Sequence, residues 1–372
     1  MLLQTFLKIL LLVSILMQNN IALSEVSKKD PESKFETLKT ALPNFCQSRI
    51  SLNITGDLAI HNQNKQGALK LFKNIKTLFK NSDINIVNLE GAITEKKEKA
   101  FESQKFSLLI DDFVPEVLSK FNIHHVTRAN NHSMDFGEEG RLLTDKKLSE
   151  NNIKWTGIGA NKNLAMTPIE IVRGGIKIHI FAFTTTYPIE AWANKSRSGV
   201  AAPSLGEMKK AIFKSSQSAD FTLVVYHWGD ELKAEPKSHQ IRYSHEAIDA
   251  GASLVLGHHA HIAQKIERYH KRDIAYGLGN FIFTPGSVKP SLGLIANIQL
   301  CQSKDGQRKV IKTQFIPIDI HIPRTKNMTK PYTQKNFLKE AKYYLTNNLF
   351  SQDTLFYFPK ENQTIKVSDL SL

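Results

Sequence analysis

The sequence predicts a mixed α/β protein in which helices pack against layered sheets. Strands and helices alternate through the first half of the chain, and the second half is rich in strands. Clusters of Asp, Glu, Asn and His come directly after several of the predicted strands. The 372 residues, 41% of them hydrophobic, suffice for one large or two ordinary domains with a substantial core.

The N-terminal residues 1–24 predict a signal peptide or an N-terminal membrane anchor. Lys8 precedes an apolar run from Ile9 to Met17, and Ala22-Leu23-Ser24 provides a small-x-small cleavage site. This run is short for a membrane-spanning helix, which favours cleavage over retention as an anchor. Residues 25–45 are polar and predict a linker. We therefore expect an exported protein, located in the periplasm or at the cell surface.

The remaining elements follow from hydrophobic periodicity. Buried strands are predicted at 49–55, 84–88, 125–127, 169–172, 176–183, 221–226, 253–256, 274–283, 292–300 and 310–322. Helical spacing or composition predicts helices at 68–79, 114–121, 138–150, about 238–250 and 336–349. Gly174-Gly175 predicts a hairpin and Asp305-Gly306 a turn. We expect one domain over residues 46–325, followed by a helical tail over 326–372.

The charge and the cysteines leave alternatives open. The net charge is +14, and cleavage after Ser24 removes one lysine and no acid, leaving 14 − 1 = +13. A basic surface favours polyanionic partners, although dispersed surface lysines explain the charge equally well. A nucleic-acid partner is not expected, because export separates the protein from nucleic acid and no aromatic-interleaved basic platform is visible. Cys46 and Cys301 either form a disulfide or remain two buried thiols.

The polar clusters carry the functional signal. Ligands of open α/β sheets bind at the carboxyl ends of the strands, and every cluster stands at such an end. The clusters are Gly56-Asp57, Asn88-Leu89-Glu90, Asn130-Asn131-His132 with Asp135, His227-Trp228-Gly229 with Glu231, and Gly257-His258-His259-Ala260-His261. Oxygen and imidazole donors without cysteine suit Mn²⁺, Fe or Zn²⁺. Asp57 alone could cap a turn and His227 could lie in the core, but the five clusters together predict a metal site.

These ordered motifs, with Leu278-Gly279-Asn280-Phe281, resemble those of the CapA family of poly-γ-glutamate capsule synthesis proteins, from about Leu52 to Phe283. The resemblance implies a four-layer α/β/β/α metallophosphoesterase-like sandwich of the calcineurin-like superfamily. It also implies one or two divalent cations. The partners it implies are the anionic poly-γ-glutamate polymer and membrane-bound capsule synthesis or export proteins.

The same resemblance suggests roles for single residues. Six positions match metal ligands of the superfamily: Asp57, Glu90, Asn131, His227, His259 and His261. His132 matches the histidine that gives a proton to the leaving group, and Arg128 is a candidate for countering negative charge or for positioning the backbone. Asp135 either orients His132 or caps the following helix, and we favour the cap.

Two departures from the superfamily pattern concern the metals. Ala59 stands where a histidine usually follows the first aspartate, and Glu90 replaces the usual bridging aspartate. One of two metal positions is therefore expected to be weak or empty. The expected activity is metal-dependent phosphoester hydrolysis. The alternatives are a non-catalytic polyanion-binding scaffold of a capsule export complex and a metal-dependent γ-glutamyl amide hydrolase.

Overall fold

A computed structural model describes residues 46–95, 98–103, 105–285, 292–320 and 330–370. The predicted signal or anchor at 1–24 and the linker at 25–45 lie outside the described residues. Within the described ranges, no helix has both the length and the apolar character needed to cross a membrane.

The described residues form eighteen strands and eight α-helices. The strands are β1 Cys46–Ala59, β2 Ile84–Leu89, β3 His125–Thr127, β4 Lys154–Thr156, β5 Ile158–Gly159, β6 Ile169–Arg173, β7 Ile176–Thr184, β8 Gly199–Val200, β9 Phe221–His227, β10 Leu254–His258, β11 Ile266–Tyr269, β12 Arg272–Ala275, β13 Asn280–Phe283, β14 Leu292–Ser303, β15 Arg308–Asp319, β16 Lys330–Pro331, β17 Leu355–Phe358 and β18 Gln363–Lys366. The helices are α1 Lys65–Leu71, α2 Lys76–Lys80, α3 Val114–Lys120, α4 Gly137–Glu150, α5 Lys162–Ala165, α6 Leu205–Ser216, α7 Ser238–Asp249 and α8 Gln334–Thr346.

Two large mixed sheets organise the chain. The first has ten strands in the order β18-β17-β15-β14-β1-β2-β3-β4, with β13 beside β1 and β16 beside β15. The second has six strands in the order β11-β12-β10-β9-β7-β6. Strands β1 to β4 are mutually parallel in the first sheet, as are β7, β9, β10 and β12 in the second. Parallel pairing brings the carboxyl ends of neighbouring strands to one edge of each sheet.

Three buried apolar clusters show how the layers pack. Leu52 of β1, Ile178 of β7 and Leu223 of β9 belong to the cluster between the two sheets. Val87 of β2 shares a cluster with Phe72 and Phe79, on the outer face of the first sheet. On the outer face of the second sheet, Val224 packs with Met208 of α6 and Ala247 of α7. The predicted four-layer α/β/β/α sandwich is therefore confirmed.

Three elements differ from the sequence prediction. The strand expected at 274–283 is two strands in different sheets, since β12 belongs to the second sheet and β13 pairs with β1 of the first. Gly279 lies between them with φ +70°, a left-handed conformation that favours glycine and lets the chain turn. The helix expected at 68–79 is α1 and α2 joined by a 3₁₀ turn. Helix α6 was not predicted, although Ser204 and Glu207 form a capping box at its start.

The C-terminal segment is part of the main body. Helix α8 lies in the expected helical tail, but the same segment also supplies β17 and β18, which extend the ten-stranded sheet. Phe337 and Tyr344 of α8 join the inter-sheet cluster with Phe356 of β17. Burial of apolar surface stabilises the folded state by about 25 cal/mol per Å². This contribution explains why the C-terminal segment packs against the two sheets.

A disulfide joins Cys46 of β1 to Cys301 of β14 on adjacent strands, with the Cα atoms 5.8 Å apart. The sequence left this pairing open. The bond closes a loop with a sequence separation of 255 residues.

Replacing both cysteines with serine is expected to lower the free energy of unfolding by about 2–5 kcal/mol, because the open chain gains entropy when unfolded. Denaturant unfolding with and without dithiothreitol provides the measurement. Reductant should shift the midpoint of the wild type toward that of the double variant and leave the variant unchanged. A double variant as stable as the oxidised wild type contradicts the prediction.

His125 of β3 makes stability depend on pH. Burial, assisted by the charge of neighbouring Lys154, lowers the pKa of His125 from 6.5 to about 4. Between about pH 4 and pH 6.5, His125 is protonated in the unfolded chain and neutral in the folded chain, so protons favour unfolding. Stability from this group is therefore complete above about pH 6.5 and is lost as the pH falls toward about 4, by at most about 3 kcal/mol.

The His125→Gln variant should accordingly lose less stability than the wild type between pH 7 and pH 4.5, measured by denaturant midpoints at both values. His270→Gln, at an exposed position, is the matched control and should keep the wild-type dependence. Identical pH dependence in wild type and His125→Gln would refute the assignment.

Candidate metal centre

The six expected ligands gather where strands of both sheets end. Asp57 lies near the end of β1, Glu90 directly follows β2, and Asn131 comes four residues after β3. His227 is the last residue of β9, and the loop after β10 carries the other two histidines. The register pairs Asp57 with Asn88 and His258 with His227, so the ends of these strands are level. Topology thus delivers distant residues to one place.

Glycines in front of the ligands allow the backbone to pass closely. A Cβ on Gly56 would lie 1.8 Å from the carbonyl oxygen of Gly279, and one on Gly257 equally close to that of Tyr276. The amide of Asp57 donates to the same Gly279 carbonyl at 3.0 Å. The Gly-Asp and Gly-His pairs of the sequence therefore reflect close backbone packing next to the site.

One group of donor atoms surrounds Nε2 of His227. This atom lies 2.7 Å from Oδ1 of Asn131, 3.1 Å from Nδ1 of His259 and 3.7 Å from Oε1 of Glu90. Glu90, His227 and His259 together have the spacing of a metal-binding group. Four atoms that bind cations thus point at one another, an arrangement that a bound cation would satisfy.

A second group shares Glu90 with the first. Asp57, Glu90 and His261 also have metal-binding spacing, and Nε2 of His261 lies 4.0 Å from Oε1 of Glu90. Nδ1 of His261 contacts Oδ1 of Asn280 at 2.8 Å, which orients the ring. Because Glu90 belongs to both groups, these residues could hold two cations with this carboxylate as a shared ligand.

The fit to a cation rests on an orphaned carboxylate. Both oxygens of Glu90 are buried, and neither has a hydrogen-bond partner among the described residues. A buried carboxylate without hydrogen bonds is costly, since desolvation penalises its charge. Nε2 atoms of three histidines lie 3.7–4.0 Å from its Oε1, namely those of His132, His227 and His261. A divalent cation held by Glu90 and the other ligand residues would compensate the buried charge.

The protonation states of the histidines also favour metal binding. Burial lowers the pKa of His259 to about 4 and that of His227 well below its usual value. Both rings are therefore neutral near pH 7, the form in which imidazole binds a metal.

The two carboxylates respond to burial in opposite ways. Burial raises the pKa of Glu90 far above its usual value, and the nearby charge of Asp57 adds to the effect. For Asp57, burial acts in the same direction, but the close contact with Nδ1 of His258 and the charge of the neighbouring histidines outweigh it and lower the pKa. Asp57 is therefore ionised, whereas the ionised form of Glu90 would need a positive charge nearby to stabilise it.

The histidine loop after β10 holds an unusual backbone. His259 and His261 have φ values of +84° and +57°, in the left-handed region that side-chain-bearing residues rarely adopt. The amide of His259 donates to Oδ2 of Asp57 at 3.1 Å, which ties the loop to β1. Such conformations cost about 1–3 kcal/mol each and persist where the surroundings enforce them, often at functional sites.

Asp135 orients His132 and does not cap the following helix. Its Oδ2 contacts Nδ1 of His132 at 2.8 Å and accepts from the amide of Leu108 at 2.6 Å. Helix α4 has Phe136 as its N-cap residue, without a side-chain capping bond. The cap that we favoured for Asp135 is therefore wrong, because the carboxylate turns back toward the site. Held at Nδ1, the ring of His132 directs Nε2 toward Glu90 at 3.9 Å.

Arg128 faces a helix. Its side chain is completely buried and forms an ion pair with Asp145 of α4, which also binds Arg141. A guanidinium enclosed in this way does not reach solvent where a substrate would enter. The structure thus favours a supporting role in positioning the β3 loop against α4 over a role in countering charge on a substrate.

Three supporting residues, to which sequence reasoning assigned no individual role, complete the site: Asn88, His258 and Asn280. Nδ2 of Asn88 donates to Oδ1 of Asp57 at 2.8 Å. The same Nδ2 atom lies 3.4 Å from Nδ1 of His227. Nδ1 of His258 lies 3.0 Å from Oδ1 of Asp57, but the contact does not have the angle of a hydrogen bond. Asn280 contacts His261. All three stand within motifs found in the sequence, and only their contacts were missing.

Comparison with known sequences gives a consistent match. Residues 51–285 match the family described as "Bacterial capsule synthesis protein PGA_cap". The chain is 28% identical to the PGA biosynthesis protein CapA of Bacillus subtilis over 258 residues, covering 69% of this chain and 67% of that protein. It is 26% identical to the capsule biosynthesis protein CapA of Bacillus anthracis over 253 residues, covering 64% of this chain and 61% of that protein, less than two thirds.

Among solved structures, the chain is similar to a putative 5'-nucleotidase from Staphylococcus aureus. The two share 15% sequence identity with a TM-score of 0.48, and the match covers 80% of this chain and 59% of that one.

Proposed function

The chain belongs to the family of bacterial capsule synthesis proteins PGA_cap, and on that premise we propose that it serves in the synthesis or export of a poly-γ-glutamate capsule through a metal-dependent phosphoesterase-like site. This membership confirms the resemblance predicted from the ordered motifs. The single observation that carries the catalytic part is the buried carboxylate of Glu90, which belongs to both groups of ligand residues.

The residues divide into two sets around Glu90. Asn131, His227 and His259 would hold one cation, and Asp57 and His261 the other, each together with Glu90. The second position has one protein ligand fewer, since Ala59 offers no donor atom. We therefore propose that it binds its cation more weakly. The donor set suits Mn²⁺, Fe or Zn²⁺.

Bound cations would supply Lewis-acid polarisation of a phosphoryl group and an acidified water. The chain's own contribution is proton transfer at the leaving group. His132 borders a cavity beside the ligands, and Asp135 fixes the orientation of its ring through Nδ1. This leaves Nε2 to deliver a proton to the departing oxygen, with Asp135 stabilising the charged ring.

A lysine-rich segment without acidic residues supports the polymer as a partner. Between Asp57 and Asp83 the sequence contains five lysines and no acidic residue. Four of these lysines are exposed and form no ion pair among the described residues, namely Lys70, Lys73, Lys76 and Lys80. They lie on and between α1 and α2 on the outer layer, where a chain of carboxylates would meet uncompensated positive charge.

The disulfide supports the proposed location. Disulfides persist mainly in oxidising compartments, and Cys46–Cys301 joins two central strands. Together with the signal-like residues 1–24, this favours an exported protein in the periplasm or at the cell surface. Membrane-bound capsule synthesis proteins are the proposed neighbours there.

Metal content and turnover together test the catalytic proposal. The full chain, loaded with Mn²⁺, Fe or Zn²⁺, should retain one or two equivalents of metal and hydrolyse bis(p-nitrophenyl) phosphate. The His227→Ala variant should lose both properties. Retention of metal without turnover of any phosphoester would overturn the enzymatic proposal.

The second candidate is a non-catalytic polyanion-binding scaffold, favoured by Ala59 and by the lysine surface. Binding of poly-γ-glutamate by a chain without turnover, lost when Lys70, Lys73, Lys76 and Lys80 are replaced by glutamine, would support it. Release of glutamate from the polymer by the metal-loaded chain would instead indicate a γ-glutamyl amide hydrolase.

A further inference from the structure

A cavity of about 510 Å³ opens beside the candidate metal centre. Asn131 and His132 form the wall nearest the ligands. One loop contributes Ser103, Lys105 and Phe106 to the remaining wall, a second loop contributes residues 187–190, and Glu231 completes it. Because His132 is the proposed proton donor, the leaving group of a substrate would lie in this cavity.

Apolar side chains are concentrated at this cavity. Of the nine large hydrophobic side chains that are exposed in the described ranges, three line it: Phe106, Tyr187 and Ile189. Phe106 and Tyr187 are each 75% exposed. Aromatic rings left open to water next to a reactive group favour a ligand that covers them.

The ring of Tyr187 is held in position. It stacks on Trp192 with the ring centroids 6.1 Å apart and the planes inclined by 26°. Nε1 of Trp192 donates to the carbonyl of Thr186 at 2.8 Å, which fixes the supporting ring. A positioned aromatic face loses little conformational freedom when a ligand stacks on it.

The charges at the cavity disfavour a polyanion there. Glu190 and Glu231 line it, and Lys105 is its one lysine or arginine among the described residues. A run of carboxylates would meet repulsion from the two acids. The lysine surface of α1 and α2 offers such a chain a better place, so the cavity and the polymer surface are distinct.

We infer that the cavity is a leaving-group subsite for an uncharged planar ring, aryl or heteroaromatic, attached to the phosphoryl group. Phe106 and Tyr187 then determine specificity by contacting the ring, while cations held by the ligand residues would bind the phosphoryl group. The inference rests on the proposed function, because His132 and the ligands define which side of the substrate enters the cavity.

Binding of non-hydrolysable phosphonates tests the subsite without requiring turnover. Calorimetric titration of the metal-loaded full chain should show phenylphosphonate binding about tenfold more tightly than methylphosphonate. Phe106→Ala and Tyr187→Ala should each remove most of this preference and leave the affinity for methylphosphonate unchanged. Phe213→Ala is the matched control, since Phe213 of α6 is 61% exposed and does not line the cavity.

The outcomes separate this inference from the proposed function. Equal affinity for the two phosphonates, or a preference that survives both substitutions, overturns the subsite alone. Tighter binding of hexylphosphonate than of phenylphosphonate overturns the planar ring in favour of an aliphatic chain. Failure of every phosphonate to bind overturns the phosphoryl site and the subsite together.

Discussion

Replacing Glu90 with glutamine is expected to stabilise the metal-free protein and to abolish its stabilisation by metal. In the absence of a cation, both oxygens of Glu90 are buried without hydrogen-bond partners among the described residues. Burial raises the pKa of Glu90, so near pH 7 the metal-free chain must take up a proton at this carboxylate in order to fold. Glutamine avoids that cost and should raise the free energy of unfolding by about 1–3 kcal/mol. In the wild type, a cation at 100 times its Kd adds about 2.7 kcal/mol, and Glu90→Gln should lose this increment.

Thermal unfolding with and without added Mn²⁺ or Zn²⁺ measures both effects. Activity should fall more than about 100-fold, because even residues outside the ligand set cost 10–100-fold in metal affinity or activity. Glu267→Gln is the control. That carboxylate is hydrogen-bonded to His245 and Tyr276, so its loss should destabilise the protein and leave metal uptake intact. A Glu90→Gln variant that is less stable without metal and still stabilised by metal would exclude the shared-ligand role.

Replacing His132 with glutamine is expected to reduce phosphoester hydrolysis by about 10²–10⁴-fold without loss of metal. His132 contacts Asp135 through Nδ1 and directs Nε2 toward the site, which is the geometry of a proton donor. The loss should depend on the leaving group. Phenolate needs a proton more than p-nitrophenolate, so the deficit should be larger for phenyl than for p-nitrophenyl esters, measured as kcat in metal-loaded protein.

Asp135→Asn separates positioning from proton transfer. It keeps a side chain of the same size beside His132 but removes the charge that stabilises the protonated ring. We expect a smaller loss of kcat than for His132→Gln, again with a larger deficit for phenyl than for p-nitrophenyl esters. Asp145→Asn, which disturbs the Arg128 ion pair instead, should leave the dependence on the leaving group as in the wild type. An equal loss for both leaving groups in His132→Gln would argue against the acid role.

Much of the candidate site was predictable from the sequence because it depends on residue type and on the position of each residue at the end of a strand. Asp57, Glu90 and His227 were placed at strand ends by the hydrophobic runs before them, and parallel pairing then brought them together. Spacing along the chain also singled out the loop with His259 and His261. No property of the separate motifs revealed that Glu90 belongs to both ligand groups, since that depends on distances between loops.

Local patterns that permit two answers led to errors or left the choice open. An aspartate near a helix start is usually a cap, yet Asp135 turns back to His132 because the loop carries Leu108 and the ring to the same side. Arg128 stands next to the asparagine pair, but its side chain extends to Asp145. The apolar run 274–283 looked continuous, although its two halves join different sheets at a turn around Gly279.

The amino-acid sequence alone determined the α/β class, the family resemblance and the identity of the six ligand candidates, because periodicity and residue chemistry are properties of short segments. The packed structure decided the Cys46–Cys301 bond, the direction of Arg128 and Asp135, and the aromatic cavity beside His132. These features depend on which distant segments lie side by side and on where each side chain points. Only the packing of the two sheets and their loops sets those distances.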